Sequence, residues 1–203
     1  MRIVEIKQTS AERFTICFQD GSELKSSLSV ITARFLHSGL ELDDEAYAEL
    51  YSASTLSLAK SRALKIVNAR ALSEQELYKK LVEKGETPEN AAECVSWLCD
   101  MGLLNDKSYA ESCVRHYAAK GYGTARIKQE LRRHGIPAEL WDTALEQMPD
   151  QSDKLERFLR SRLSDASDRA QVKRVSDALF RRGYSWDEIK HALNQIKAET
   201  EDY

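Results

Sequence analysis

Several things are missing from this chain of 203 residues. It has no stretch apolar enough to span a bilayer, no signal peptide and no lipidation motif, so it is expected to be soluble and cytosolic. Its four cysteines, Cys17, Cys94, Cys99 and Cys113, are scattered. Cys94 and Cys99 fall on different sides of a helix, and Cys94 and Cys113 fall on apolar faces. Buried free thiols are expected, not disulfides. The histidines His37, His116, His134 and His191 are far apart, and none stands at metal-ligand spacing from a cysteine. No Ser/His/Asp set can be selected. Lys120-Gly121-Tyr122-Gly123-Thr124 is glycine-rich and opens a helix, but no Gly-Lys-Ser/Thr follows, so it reads as a tight turn. Asp43-Asp44-Glu45 reads as a helix start whose acids favour the dipole. The net charge of −3 excludes a globally basic nucleic-acid coat. No enzyme, metal or cofactor is expected.

What the chain does contain is a repeat. Gly85, Gly135 and Gly183 each sit in the same apolar frame. Four residues before them stand Leu81, Leu131 and Leu179; eight before, Leu77, Ile127 and Val175. Ala91, Trp141 and Ile189 follow at +6, and Val95, Leu145 and Leu193 at +10. Leu98, Met148 and Ile196 stand at +13, and the small residues Cys94, Ala144 and Ala192 at +9. These offsets have helical spacing on both sides of a glycine suited to a helix C-terminus. Thr87-Pro88 and Pro137 mark the next helix start, and Ser185 with Glu188 forms a capping box, as does Ser73 with Glu76. A further helix precedes each pair: 56–70, 106–120 and 154–163. Three helices per repeat, nine in all, are expected to stack into an elongated curved array that binds extended partners along its surface.

The amino-terminal stretch differs. Phe14, Ile16 and Phe18 alternate as in a half-buried strand, Asp20-Gly21 is a hairpin turn signal, and strands over 23–28 and 3–6 complete a small sheet. A helical run over 30–36 stops at Gly39, an acidic helix covers 43–51, and 52–55 reads as a linker. The expected fold is therefore mainly α. A small α/β module (1–55) precedes three-helix repeats at 56–104, 105–150 and 151–203, the last with an acidic tail from Glu199.

Charge is distributed unevenly: residues 1–60 carry six Lys/Arg against nine Asp/Glu, and residues 121–198 fifteen against twelve. Cations gather near the repeat glycines: Lys79, Lys80 and Lys84; Arg126, Lys128, Arg132 and Arg133; Lys173, Arg174, Arg181 and Arg182. Each alone reads as a solvated helix face favoured by the helix C-terminus. Their recurrence points to a cationic ridge for a polyanion or an acidic protein groove, with Arg126, Lys128, Arg132, Arg133, Arg181 and Arg182 as contacts. Trp97, Trp141 and Trp186 read as core more than as stacking platforms, Trp186 with least support. Tyr122 and Tyr184 flank the turns and are the better candidates for exposed contact.

Leu104-Asn105-Asp106-Lys107-Ser108-Tyr109-Ala110, Val114-Arg115, Lys120-Gly121-Tyr122-Gly123, Arg126-Ile127-Lys128-Gln129-Glu130-Leu131 and Gly135-Ile136 together resemble the core signature of the RecX family, bacterial regulators of the RecA recombinase. Ser73, Glu76-Leu77, Lys80-Leu81 and Lys84-Gly85 fit the same family. The Asp20-Gly21 hairpin and Gly39-Leu40-Glu41-Leu42-Asp43 resemble the extra module of its longer members. The resemblance is strongest over 73–145 and weakest after Met148. Thr124 departs from the family's usual proline or basic residue. The resemblance implies tandem three-helix repeats without catalysis. It implies binding to RecA filaments on single-stranded DNA, along the helical groove, with inhibition of ATP hydrolysis and strand exchange. It also implies structural roles for Gly85, Asp106, Tyr109, Gly121, Glu130, Leu131, Gly135 and Gly183. A monomer, with weak direct DNA binding at most, is expected. The residues alone leave two other classes open: a stand-alone nucleic-acid-binding module related to helix-turn-helix folds, and a general repeat scaffold for protein partners.

Overall fold

The structure, a computed structural model, describes residues 1–165 and 168–201. It holds ten α-helices, a 3₁₀ turn and a three-stranded antiparallel sheet among those residues. The chain divides into two compact units, Met1–Ala71 with Glu76–Leu104, and Leu72–Gln75 with Asn105–Tyr203. Asp202, in the acidic tail, lies outside the described residues.

In the first unit, β1 (Ile3–Ser10), β2 (Arg13–Phe18) and β3 (Glu23–Ser27) form a meander in which Ile16 opposes Leu24 and Phe14 opposes Ser26. The Asp20 carboxylate accepts from the Ser22 amide and hydroxyl, at 3.0 and 2.7 Å, and Gly21 takes φ +85°, so the turn signal closes the hairpin as expected. Ile3, Ile16, Phe18 and Leu24 bury one sheet face together with Val30 of α1 (Leu28–Ala33) and Leu50 of α2 (Asp44–Ala69).

Helix α2 runs unbroken from Asp44 to Ala69, about 39 Å at 1.5 Å per residue. Asp43 caps it by accepting from the Ala46 amide at 2.8 Å, and Asp44 and Glu45 fill its first turn, the dipole role read for this acidic triplet. The expected linker over 52–55 is therefore wrong. Ser54 is fully buried and its hydroxyl meets that of Ser26 at 2.8 Å, while Ser57 meets Ser27 at 2.6 Å. Small serines that read as linker composition let the helix approach β3 closely. Two expected helices, 43–51 and 56–70, are one. Helices α3 (Glu74–Glu83) and α4 (Pro88–Asp100, capped by Thr87) follow, with Leu77, Leu81, Ala91, Cys94 and Leu98 fully buried.

The second unit contains α5 (Asp106–Ala119), α6 (Thr124–Arg133), a 3₁₀ turn (Ala138–Leu140), α7 (Trp141–Leu145), α8 (Ser152–Arg162), α9 (Arg169–Arg181) and α10 (Trp186–Glu201). Pro137 caps the 3₁₀ turn from outside instead of opening an α-helix, so the second repeat ends in two short pieces where one helix was expected. Ser185 and Glu188 form the expected reciprocal capping box, at 2.6 and 3.2 Å. Two apolar clusters, one around Ile127 and Leu131, the other around Leu159 and Leu179, form the cores of the second and third repeats.

The three repeat glycines take φ +88°, +70° and +91° and close α3, α6 and α9 in one way. The glycine amide donates to the carbonyl three residues back. The next amide donates to that of Leu81, Leu131 or Leu179, the core leucine four before the glycine. The repeat frame is thus one packing solution used three times.

Candidate functional site

The cations singled out by sequence separate into three environments. Arg126 and Arg133 converge on Glu130, which is only 6% exposed although it is charged. Its two oxygens lie 2.9 Å from the Arg126 and 2.8 Å from the Arg133 guanidinium. Arg133 also donates to the Tyr117 hydroxyl at 3.2 Å, and this bond, with Glu130, raises its pKa above the ordinary arginine value. The Tyr117 and Tyr109 hydroxyls lie 3.1 and 3.3 Å from the two ring nitrogens of His134. Lys128 pairs with Asp142 at 2.9 Å, and the Arg132 guanidinium lies over the Trp141 ring. These residues hold the second repeat together as well as presenting charge.

Lys173, Arg174 and Arg181 form the second group, exposed on α9 opposite its buried Val175 and Leu179. Beside Arg181, Phe180 and Trp186 stack with centroids 5.2 Å apart, and both remain half-exposed. Trp186 is thus a surface residue where core was expected. Nothing in the sequence signals the pair, since Phe180 lies outside the repeated frame. Arg182 differs from its neighbour: its guanidinium covers the Phe158 ring at 4.8 Å.

The third group is in the first unit. Lys79 and Lys84 are exposed, and Lys80 and Lys84 line a cavity of about 450 Å³ with Arg62, Lys65 and Arg70, three cations the sequence reading passed over.

The two candidate tyrosines are corrected. Tyr184 is 3% exposed and Tyr122 is half-buried. Each follows a positive-φ glycine, Gly183 or Gly121, and its side chain folds back onto the helix just ended. Tyr184 joins the Leu179 cluster and Tyr122 stacks on Tyr117. That hydrophobic return is the companion of this type of helix termination, so flanking a turn does not mean exposure. Trp141 is half-buried against the second-repeat core, with its indole N–H donating to the Ile136 carbonyl at 2.9 Å. Trp97 is half-buried beneath the Lys60 ammonium.

Two turn junctions within the second unit follow one pattern. The Gly123 amide donates to the Arg182 carbonyl at 2.9 Å and the Ala125 amide to the Gly183 carbonyl at 3.1 Å. Free donors at the start of α6 thus meet free acceptors at the end of α9. Ser73 stands twelve residues before Gly85, as Gly123 does before Gly135. Its hydroxyl donates to the carbonyl of His134, the residue before Gly135, as Arg182 is before Gly183. The buried Asp106 carboxylate accepts from the Glu74 amide at 2.9 Å. Asp106, Gly135 and Gly183 are therefore junction residues.

Among the described residues, no group of three or more His, Cys, Asp or Glu is placed to hold a metal, and no helix is long and apolar enough to cross a membrane. The arrangement is one of exposed charge and aromatic surface on rigid short helices, which suits docking.

Comparison with known proteins places the motifs. Two family models match: "RecX, first three-helix domain" at residues 59–98 and "RecX, second three-helix domain" at 105–145. Regulatory protein RecX of Vibrio campbellii is 32% identical over 145 residues, 70% of this chain and 93% of its own length. That of Trichlorobacter lovleyi is 37% identical over 141 residues, covering 66% and 92%. A crystal structure of a regulatory protein RecX superposes with TM-score 0.75 at 27% identity, covering 95% of this chain and 98% of the other. RecX from Lactobacillus salivarius gives 0.65 at 26% identity, covering 72% and 99%.

Proposed function

This chain belongs to the RecX family, and we propose that it regulates the RecA recombinase by binding its filament on single-stranded DNA and inhibiting ATP hydrolysis and strand exchange, without catalysis of its own. The observation that carries the reading is the pair of three-helix domain matches over the motifs from Ser73 to Leu145. Exposed Lys173, Arg174 and Arg181 beside the Phe180–Trp186 stack support it physically. Aromatic surface next to exposed cations is the composition of a protein-docking patch. In this reading the amino-terminal module and the three repeats are the working divisions, with the first boundary carried inside α2. The protein acts as a cytoplasmic monomer, and Arg126, Lys128, Arg132, Arg133 and Arg182 contribute to contact while also serving the fold. The test is RecA's DNA-dependent ATPase at substoichiometric amounts of this protein. Progressive inhibition is expected; an unchanged rate across a broad titration would sink the reading.

A further inference from the structure

The first unit gathers positive charge where its composition is acidic. One cavity of about 540 Å³ lies between β2, β3 and α2, lined by Arg13, Lys25, Arg62 and Lys65 with Thr9, Ser10 and Thr15. The cavity of about 450 Å³ adjoins it, sharing Arg13, Arg62 and Lys65 and adding Arg70, Lys80 and Lys84. Seven cations and no acid line the combined groove. Glu86 pairs with Arg62, and Glu76 reaches Arg70 at 3.5 Å. Among the described residues no carboxylate stands within ion-pair distance of the other five. Yet the first unit as a whole carries fifteen acids against twelve bases. Concentrating cations in such a segment costs stability through self-repulsion until an anion enters.

The groove is not uniformly polar. Phe14 shares the helix-facing side of β2 with Ile16 and Phe18 but is only half-buried, and it lines the groove with Leu58, Ile66 and Ala69. A cationic rim supplied with hydroxyls over an apolar, aromatic floor matches a single strand of nucleic acid, with phosphates on the rim and an unstacked base on the floor. A duplex keeps its bases inside, and an acidic peptide answers only the rim.

We propose that this groove binds the sugar–phosphate backbone of single-stranded nucleic acid directly, with Phe14 as the base platform. The site is built half from the amino-terminal module, outside both matched domains, and does not depend on the RecA reading.

The experiment is fluorescence anisotropy of a fluorescein-labelled 20-mer of thymidylate with the full-length protein, without RecA, across a salt series. The triple variant Lys25→Ala/Lys65→Ala/Lys84→Ala removes three exposed lysines and leaves the core untouched. Single strands show a slope of log affinity against log salt of about −0.7 per phosphate contact, so the slope should flatten by roughly 2. Phe14→Ala should weaken binding about tenfold at all salt concentrations, as loss of one stacking platform does. An unchanged slope and affinity in the triple variant, with its melting temperature preserved, overturns the proposal even if Phe14→Ala fails to fold. So does equal displacement by a polyglutamate peptide of matched charge together with an indifferent Phe14→Ala, which would assign the groove to an acidic protein. The RecA ATPase titration is run on the same triple variant, so failure of the groove and failure of the RecA reading remain separate results.

Discussion

Glu130 is a charged side chain buried between two cations that remain wet, with the Arg126 and Arg133 side chains 43% and 67% exposed. The asymmetry predicts unequal mutational costs. Arg126→Ala/Arg133→Ala strands a buried carboxylate and should cost about 3 kcal/mol. Glu130→Gln frees two guanidinium groups that water can solvate and should cost about 1 kcal/mol. Urea unfolding of both variants measures this; equal losses would mean that Glu130 is not the desolvated partner. The cysteines give a chemical counterpart. Burial pushes the Cys94 thiol up to about 11, and Cys113 is also buried, while Cys17 and Cys99 are half-exposed. A disulfide-exchange reagent at pH 8 should therefore modify Cys17 and Cys99 in the native protein, and Cys94 only after denaturant is added. Fast native labelling of Cys94, located by peptide mass mapping, would contradict its burial.

At the scale of elements, what matters is where one helix starts against the end of another. Gly123 has φ −80°, a conformation open to any residue, yet a Cβ there would collide with the backbone of Gly183 and Tyr184. Gly85 is the reverse: open space surrounds it, and its φ of +88° is the constraint. Gly123→Ala should thus cost about 1–3 kcal/mol through forced separation of α6 from the α9 turn. Gly85→Ala should cost about 1 kcal/mol through backbone strain alone. Calorimetric melting of the two variants checks the order. The contrast also shows what sequence can carry. A positive-φ glycine leaves a local signal, a break between two apolar periodicities, and all three repeat closures were legible from it. Close approach leaves none, so Gly123 read only as part of a turn. The same limit hid α2. The buried side chains of Ser54, Ala59 and Ala63 are small instead of large and apolar, and the helix showed too little periodicity to bridge the serines.

For the molecule as a whole, charge must be separated into what is spent internally and what remains for a partner. The sequence located the cations near the repeat glycines but could not make that division. It depends on carboxylates brought in by folding, such as Asp142 against Lys128 and Glu130 between its two arginines. The groove in the first unit was illegible for a related reason: Arg13 and Lys25 meet Arg62 and Lys65 only because β3, paired with β2, packs along α2. After the division, Lys173, Arg174 and Arg181 remain as the exposed edge of the third repeat, whereas Arg182 is committed to Phe158. Exposed charge of this kind accelerates encounter more than it holds a complex. Lys173→Glu/Arg174→Glu/Arg181→Glu should therefore slow association with RecA filaments about tenfold at low salt and flatten the dependence of the rate on ionic strength. Dissociation should change by less than about threefold, and melting should be unaltered. Phe180→Ala should do the opposite, speeding dissociation at an unchanged association rate, because a stacked aromatic contributes after contact is made. Stopped-flow association and dissociation traces for the two variants over a salt series decide between roles. If the triple charge reversal leaves both the rate and its salt slope intact, these cations are a solvated helix face.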